Sequence, residues 1–228
     1  MKEHLARLQD PDPSVRMAAA ETLGKMGEAA ATPEVLEALI QRLREDEDWR
    51  VRYEAARALG AMGKAAATPE VIQALVQRLR EDKKQVRYGA AEALGDMGAA
   101  AATPEVIEAL VQALRKDEDK WVRQEAARAL GWMGTAAATP EVLEALAERL
   151  LQDKFTWVRR KAAEALRWMG AAAATPEVLE ALVQALRDRV SDVRSEAAGA
   201  LGSMGEAAAQ KEVLQALGQA LRDRALYV

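Results

Sequence analysis

Cysteine is absent from the 228 residues, and histidine occurs once, at His4. The first absence excludes disulfides, thiolate catalysis and Cys-based zinc sites. The second removes most histidine-centred acid–base and metal chemistry. Aromatics make up 4% of the chain, with one phenylalanine and three tyrosines, so a core of alanine and leucine points to close-packed helices rather than sheet. No apolar run reaches membrane-spanning length, and no charged-then-apolar leader opens the chain. Neither sign of charge dominates: the net charge is −4 and the pI near 5.4, which argues against a general nucleic-acid or membrane coat. The expectation is a soluble, cytoplasmic helical protein.

What is present is alanine, 51 residues of it, within a chain that is 50% apolar and 30% charged. It is also repetitive, and self-similarity at a fixed period decides architecture. The string Ala-Thr-Pro-Glu-Val recurs at Thr32, Thr68, Thr103, Thr139 and Thr175, spaced by 36, 35, 36 and 36 residues. A second string, Val-Arg-x-x-Ala-Ala-x-x-Leu-Gly-x-Met-Gly, begins at Val15, Val51, Val86, Val122, Val158 and Val193, with Arg167 replacing one glycine. Each repeat therefore holds two helices. The first has Thr as N-cap and Pro at its first position, followed by an apolar stripe such as Val35, Leu36, Leu39, Ile40 and Leu43. The second buries Val51, Ala55, Ala56, Leu59 and Met62 and stops at Gly63, a C-cap residue. Neither stripe can be buried by one pair alone, so neighbouring repeats must stack. The reading is six helix pairs, the first opened by a short helix at about 2–9, and a thirteenth helix at about 211–225, in one elongated domain over 1–228.

These strings, Leu-Arg-x-Asp followed by Val-Arg and then Ala-Ala-x-Ala-Leu-Gly-x-Met-Gly, resemble the HEAT-like repeat, in particular its short bacterial form. The resemblance covers essentially the whole chain. The Ala-Thr-Pro-Glu-Val period is similar to arrays attached to NACHT-type NTPase modules, and the regularity resembles engineered consensus HEAT arrays. The resemblance implies an all-α solenoid, a right-handed superhelix with the second helices lining its concave side. It also implies that the recurring Asp/Arg pairs, such as Asp10 with Arg16, Asp117 with Arg123 and Asp153 with Arg159, tie adjacent repeats together. Their recurrence favours that structural role over a catalytic carboxylate–arginine pair.

Three signals have structural explanations. The Gly-x-x-Gly strings sit at helix ends rather than after strands, so they do not make a phosphate loop. The acidic loops lack a glycine-turned calcium-ligand loop. The methionines Met26, Met62, Met97, Met133, Met169 and Met204 form a ladder of gap-filling core residues.

Function is expected where the copies differ. Exposed positions of the first helices hardly change, whereas three positions of the second helices vary widely. Before each core methionine stand Lys25, Ala61, Asp96, Trp132, Trp168 and Ser203. One stripe at four-three-four spacing reads Trp121, Glu125, Arg128 and Trp132; the next reads Trp157, Lys161, Glu164 and Trp168, with Gln124 and Arg160 beside them. Four tryptophans edged by basic residues suit an interface anchor, and Tyr53 and Tyr88 extend it towards the early repeats. The rival reading is local packing of the large rings.

A non-enzymatic scaffold binding a protein or peptide through the concave second-helix face, natural or engineered, is the leading expectation. No catalytic set, metal site or cofactor site is visible. Lys154, Phe155, Arg159, Arg160, Lys161 and Arg167 make the fifth repeat locally basic, which suits an acidic or aromatic partner. The alternative is a sensor or regulatory array of a larger multidomain NTPase-type protein. Its motivation is a final helix that lacks a partner, leaving Leu214, Leu217 and Leu221 uncovered; the same face would allow self-association. Nucleic-acid binding, for which HEAT-like DNA glycosylases are the family precedent, is disfavoured because no long basic track runs along the array. HEAT-like repeats also occur in phycobilin lyases, which no residue here favours, and in a di-iron hydroxylase, which the isolated His4 excludes.

Overall fold

The computed structural model describes residues 1–222. The chain divides into two compact units, Met1–Ala113 and Leu114–Val228, and every regular element among the described residues is helical. The N-terminal unit carries α1 (Lys2–Arg7), α2 (Pro13–Lys25), α3 (Pro33–Glu45), α4 (Trp49–Ala61), α5 (Pro69–Glu81) and α6 (Lys84–Asp96). The division falls within α7 (Pro104–Lys116). The C-terminal unit carries α8 (Lys120–Trp132), α9 (Pro140–Gln152), α10 (Thr156–Met169), α11 (Pro176–Ala185), α12 (Ser191–Ser203) and α13 (Lys211–Arg222). The last residues expected in the terminal helix lie outside the described ones.

The local rules read from the sequence are the ones that shape the helices. Thr32, Thr68, Thr103, Thr139 and Thr175 each accept the amide hydrogen of the valine three residues on, at 3.3–3.4 Å. That satisfies one of the orphan donors at each helix start, while proline at the next position has no donor to satisfy. Each second helix closes before a glycine with φ between 57° and 60°, a left-handed conformation that a side chain would strain. A single 3₁₀ turn, such as Gly63–Ala66, then leads to the next threonine.

Stacking is two layers deep in each unit. In the N-terminal unit α2, α4 and α6 pack side by side, α3 packs on α5, and the α3–α4 and α5–α6 pairs join the layers. In the C-terminal unit α8, α10 and α12 form one layer and α9, α11 and α13 the other. Leu39, Leu59, Leu75 and Leu94 fill the first core, and Leu130, Leu146, Leu166 and Leu182 the second. Each such leucine contributes about 1.5–3 kcal/mol by leaving water. The methionine ladder is buried at five of its six rungs; Met26 is exposed, because no earlier full-length second helix lies beside α2 to cover it.

Small residues set the spacing of the second helices. A Cβ added at Gly60 would sit 2.7 Å from the Ala93 Cα, and one at Gly24 would sit 3.0 Å from the Ala58 Cα. In the C-terminal unit a Cβ at Gly131 would meet the Ala165 Cα at 2.8 Å and the Trp168 ring at 2.7 Å. The helices touch backbone to backbone at these points, which no larger residue permits.

The Asp/Arg ladder joins repeats, by a route that differs from simple pairing within each copy. Arg52 donates from Nε and Nη2 to both carboxylate oxygens of Asp82, in the next repeat, at 2.7 and 2.6 Å. Its Nη1 donates to the backbone carbonyl of Asp46, in its own repeat, at 2.7 Å. Arg16 does the same with Asp46 and the Asp10 carbonyl. In the C-terminal unit Arg123 bridges Asp153 and the Asp117 carbonyl, and Arg159 bridges Asp188 and the Asp153 carbonyl. The planar guanidinium thus spans two repeats with three donors, a geometry that lysine cannot reproduce.

Burial alone would raise the carboxyl of Asp82, but hydrogen bonds from Arg52 and the Lys83 amide outweigh it and hold the group below its ordinary value of 3.8. Asp188 is lowered in the same way, against its burial, by Arg159 and the Val190 amide. A carboxyl lowered by folding contributes stability above its unfolded value and loses it as pH falls through the folded one. Urea midpoints should therefore fall below about pH 4, in the range set by that linkage. Asp82→Asn should cost roughly 1.5–3 kcal/mol at pH 7, as expected for a charged hydrogen bond, and should flatten the acid limb. An acid limb of unchanged slope would remove Asp82 from the ladder's energetics. The glycines supply a second test. Gly131→Ala must displace backbone and should destabilise by about 1–3 kcal/mol. Gly202→Ala meets nothing within 4 Å and should stabilise its helix by about 0.5–1 kcal/mol. Equal melting temperatures for the two variants would contradict the close-approach account.

Candidate recognition surface

Two of the three variable positions of the second helices reach the surface; the third, after each Val-Arg, is half-buried at Met17, Tyr53, Tyr88, Gln124 and Arg160 and exposed at Ser195. Lys25, Ala61, Asp96, Trp132, Trp168 and Ser203 are exposed, and so are Ser14, Arg50, Gln85, Trp121, Trp157 and Asp192. Stacking leaves these positions free, which is why they can differ.

In the C-terminal unit α8 and α10 lie side by side and bring the four tryptophans onto one layer. Trp132 and Trp168 are 41% and 37% exposed. Their rings are 6.0 Å apart at an angle of 39°, a tilted aromatic pair. Trp168 reaches back over Gly131, so its inner edge is packed while its outer edge meets water. Trp121 and Trp157 are 48% and 51% exposed at the other end of the same helices. They do not fold inward over the helix starts.

The middle of the first stripe is not open. Glu125 is buried, and it pairs with Arg128 on the next turn. The Arg128 guanidinium lies over the Trp132 ring, 3.8 Å from its centroid, so this cation is already committed to a carboxylate and a ring face. Lys161 donates to Glu164 at 2.7 Å, both half-buried. Gln124 is half-buried, with its Oε1 unbonded. Arg160 lies 5.5 Å from the Trp157 centroid and 3.7 Å from Glu196. Aromatic ends and a paired, neutral middle describe the surface better than tryptophans ringed by free cations.

The basic character expected of the fifth repeat is largely neutralised. Arg159 is buried in the ladder, and Arg167 donates to Glu196 at 3.1 Å. Arg167 fits where the other copies carry glycine because Gly199 lies under its chain: a Cβ there would meet the Arg167 Cδ at 3.3 Å. In the other copies the place of Gly199 is taken by larger residues such as Arg57, Arg128 and Glu164.

Tyr53 and Tyr88 lie in the N-terminal unit and are half-buried. The Tyr53 ring covers Gly89, where a Cβ would come within 2.8 Å, and Arg57 lies 5.7 Å from its centroid. Tyr53 is thus mostly a packing residue, placed by a neighbour that has no side chain.

Two residues outside the expected set, Lys120 and Phe155, stand at the tryptophan end of the loops. The Lys120 ammonium is 5.2 Å from the Trp121 centroid and 4.6 Å from that of Phe155. A signal for Phe155 was present in the sequence: where three other copies have Asp12, Asp48 and Asp119 as the helix cap, this copy has an apolar ring.

Among the described residues no group of three or more His, Asp or Glu is placed to hold a metal, and no helix is long and apolar enough to cross a membrane. On α13, Val213 and Ala220 are buried whereas Leu214 is exposed and Leu217 half-buried; the Leu221 side chain lies outside the described ones.

The family model described as HEAT repeats matches residues 72–167 and 143–228. A second, described as sister chromatid cohesion protein PDS5 protein, matches residues 2–103, less than half of the chain. No curated protein matches. Among solved structures, an engineered protein is 26% identical with a TM-score of 0.70, covering 90% of this chain and 96% of that one. A designed armadillo repeat protein in complex with the peptide (KR)4 is 20% identical with a TM-score of 0.66, covering 89% and 98%. The complex of CpcE and CpcF of phycocyanin lyase from Nostoc sp. PCC7120 is 26% identical with a TM-score of 0.58, covering 96% and 86%. With its repeats matched over more than half its length and its helix pairs stacked as the strings require, the chain belongs to the HEAT repeats.

Proposed function

We propose that this protein is a non-enzymatic, cytoplasmic binding scaffold that holds a peptide or protein segment on the second-helix layer of its C-terminal unit. The observation that carries the reading is the Trp132–Trp168 pair. The two rings touch at 6.0 Å yet stay 41% and 37% exposed, at a position that other copies fill with Lys25, Asp96 or Ser203. Folding does not require tryptophan there. Adjacent exposed aromatics are the groups that most often anchor interfaces, being large, rigid and partly apolar. Support of a coarser kind comes from structural likeness to a designed repeat protein whose complex holds a peptide.

Each tryptophan has a different expected cost. Trp132→Ala should weaken partner binding while stability changes by no more than about 1 kcal/mol, as is usual for an exposed side chain. Trp168→Ala should also weaken binding and cost somewhat more, about 1–2 kcal/mol, because its inner edge fills the notch over Gly131. Selection of a random peptide library on the parent, followed by titration of the selected peptide into both variants, measures the binding. Urea unfolding measures the cost. A peptide that binds both variants as well as the parent would place the site elsewhere.

A further inference from the structure

We propose that the loop edge of the C-terminal unit, built from Lys120, Trp121, Lys154, Phe155 and Trp157, docks an acidic peptide segment carrying an apolar anchor. This rests on the reading that this side of the unit binds a peptide, and it names the chemistry of that peptide and the end of the helices it meets.

The first argument is a local rule given up for a ring that stays exposed. At the starts of α2, α4 and α8, the Oδ1 of Asp12, Asp48 and Asp119 accepts the amide hydrogen two residues on, at 2.8, 2.9 and 2.9 Å. At the start of α10 the same place holds Phe155, and no side chain caps the helix. The backbone there is ready for the acid. Phe155 has φ −96° and ψ 123°, against −85° and 124° at Asp119. Its amide donates to Asp153 at 2.9 Å, just as that of Asp119 donates to Asp117 at 2.9 Å. Nor does the ring repay the loss by filling the core, since it is 40% exposed. Val190, at the same place in α12, is also uncapped but is half-buried, so its apolar side chain has cover. Lys83, at the same place in α6 after a loop one residue shorter, is uncapped and exposed as well. Phe155 differs in presenting an apolar ring, whose neighbours are the Lys120 ammonium and, 5.7 Å from its centroid, the Arg123 guanidinium. An exposed ring in place of a cap is a departure that burial does not explain.

The second argument is charge. Lys161, Arg160 and Arg167 on α10 all have carboxylates nearby, Glu164 for the first and Glu196 for the others. Lys120 and Lys154 have no carboxylate partner among the described residues. Lys120 instead lies between the Trp121 and Phe155 rings, at 5.2 and 4.6 Å from their centroids. An ammonium without a carboxylate partner therefore lies beside two exposed rings, with Lys154 next to Phe155 in the chain. A carboxylate beside an apolar side chain complements that pattern, and a basic segment opposes it.

Fluorescence polarisation with the labelled peptides (Glu-Leu-Asp)4 and (Lys-Leu-Lys)4, at fixed salt, tests the site on the full chain. The parent should prefer the acidic probe by at least about tenfold, the scale of one well-placed ionic contact. Phe155→Asp should weaken that binding by about tenfold or more while the melting temperature holds or rises, because the cap is restored. Lys120→Glu with Lys154→Glu should abolish the preference. Equal affinity for both probes, or acidic binding untouched by Phe155→Asp, overturns the proposal. So does sedimentation of the parent with phosphatidylserine vesicles without binding of the acidic peptide, which would make this edge a membrane contact. The Trp132→Ala variant separates the two readings. Weakened binding of the basic probe by that variant would keep the helix-face site and remove the acidic edge. Acidic binding lost in Phe155→Asp but kept in Trp132→Ala would do the reverse.

Discussion

Within each unit, bridging guanidinium groups hold neighbouring repeats in register. Arg52 reaches forward to the Asp82 carboxylate with two donors and back to the Asp46 carbonyl with a third, so its copy is tied to the next through a rigid, planar fork. The aspartate is used as fully. The Oδ1 of Asp46 accepts the Asp48 amide, which shapes the loop from which α4 starts, and its carboxylate also receives Arg42 from the turn above. A charged pair screened from water costs desolvation and must be well satisfied to persist. Here nearly every polar atom has a use, so loop conformation, helix start and repeat spacing depend on one cluster. The glycine–alanine contacts act alongside it: the second helices can be bridged by a side chain of that length only because Gly60 lets α6 come against α4.

Such a cluster explains which parts of the protein were legible in the sequence. The threonine caps, proline starts, closing glycines and buried leucines each follow from a local rule stated in a few residues, and they recur. The ladder was legible as a set of residue types but not as a set of partners. Asp10 and Arg16 sit close in sequence, and only stacking shows that the carboxylate facing Arg16 belongs to Asp46. Met26 fails for the same reason: its string is identical to the others, yet burial depends on a neighbouring helix that its own position in the stack does not provide.

The surface was less legible. Helical spacing placed Trp121 and Trp132 on one stripe, and both are exposed. It also placed Glu125 and Arg128 there, of which the first is buried and the second half-buried, and the two are paired with each other. A stripe four residues apart fixes direction about the helix axis, but not how closely the next helix presses on each turn. Tyr53 shows the same limit, since its burial is decided by Gly89 in the following repeat.

A repeat protein offers an unusual way past that limit, because each copy is a control for the others. A position that varies but stays exposed says little by itself; one that abandons a local rule says more. Arg167 breaks the glycine rule and is compensated by Gly199 beneath it, so the departure closes within the fold. Phe155 breaks the capping rule and gains no burial in return: its backbone still has the capped conformation, the capping carboxylate is gone, and its ring stays 40% exposed beside Lys120 and Arg123. Folding accounts for the first exception. For the second, core burial supplies no counterpart to the cap given up, and the proposed docking of a partner at the loop edge would supply one.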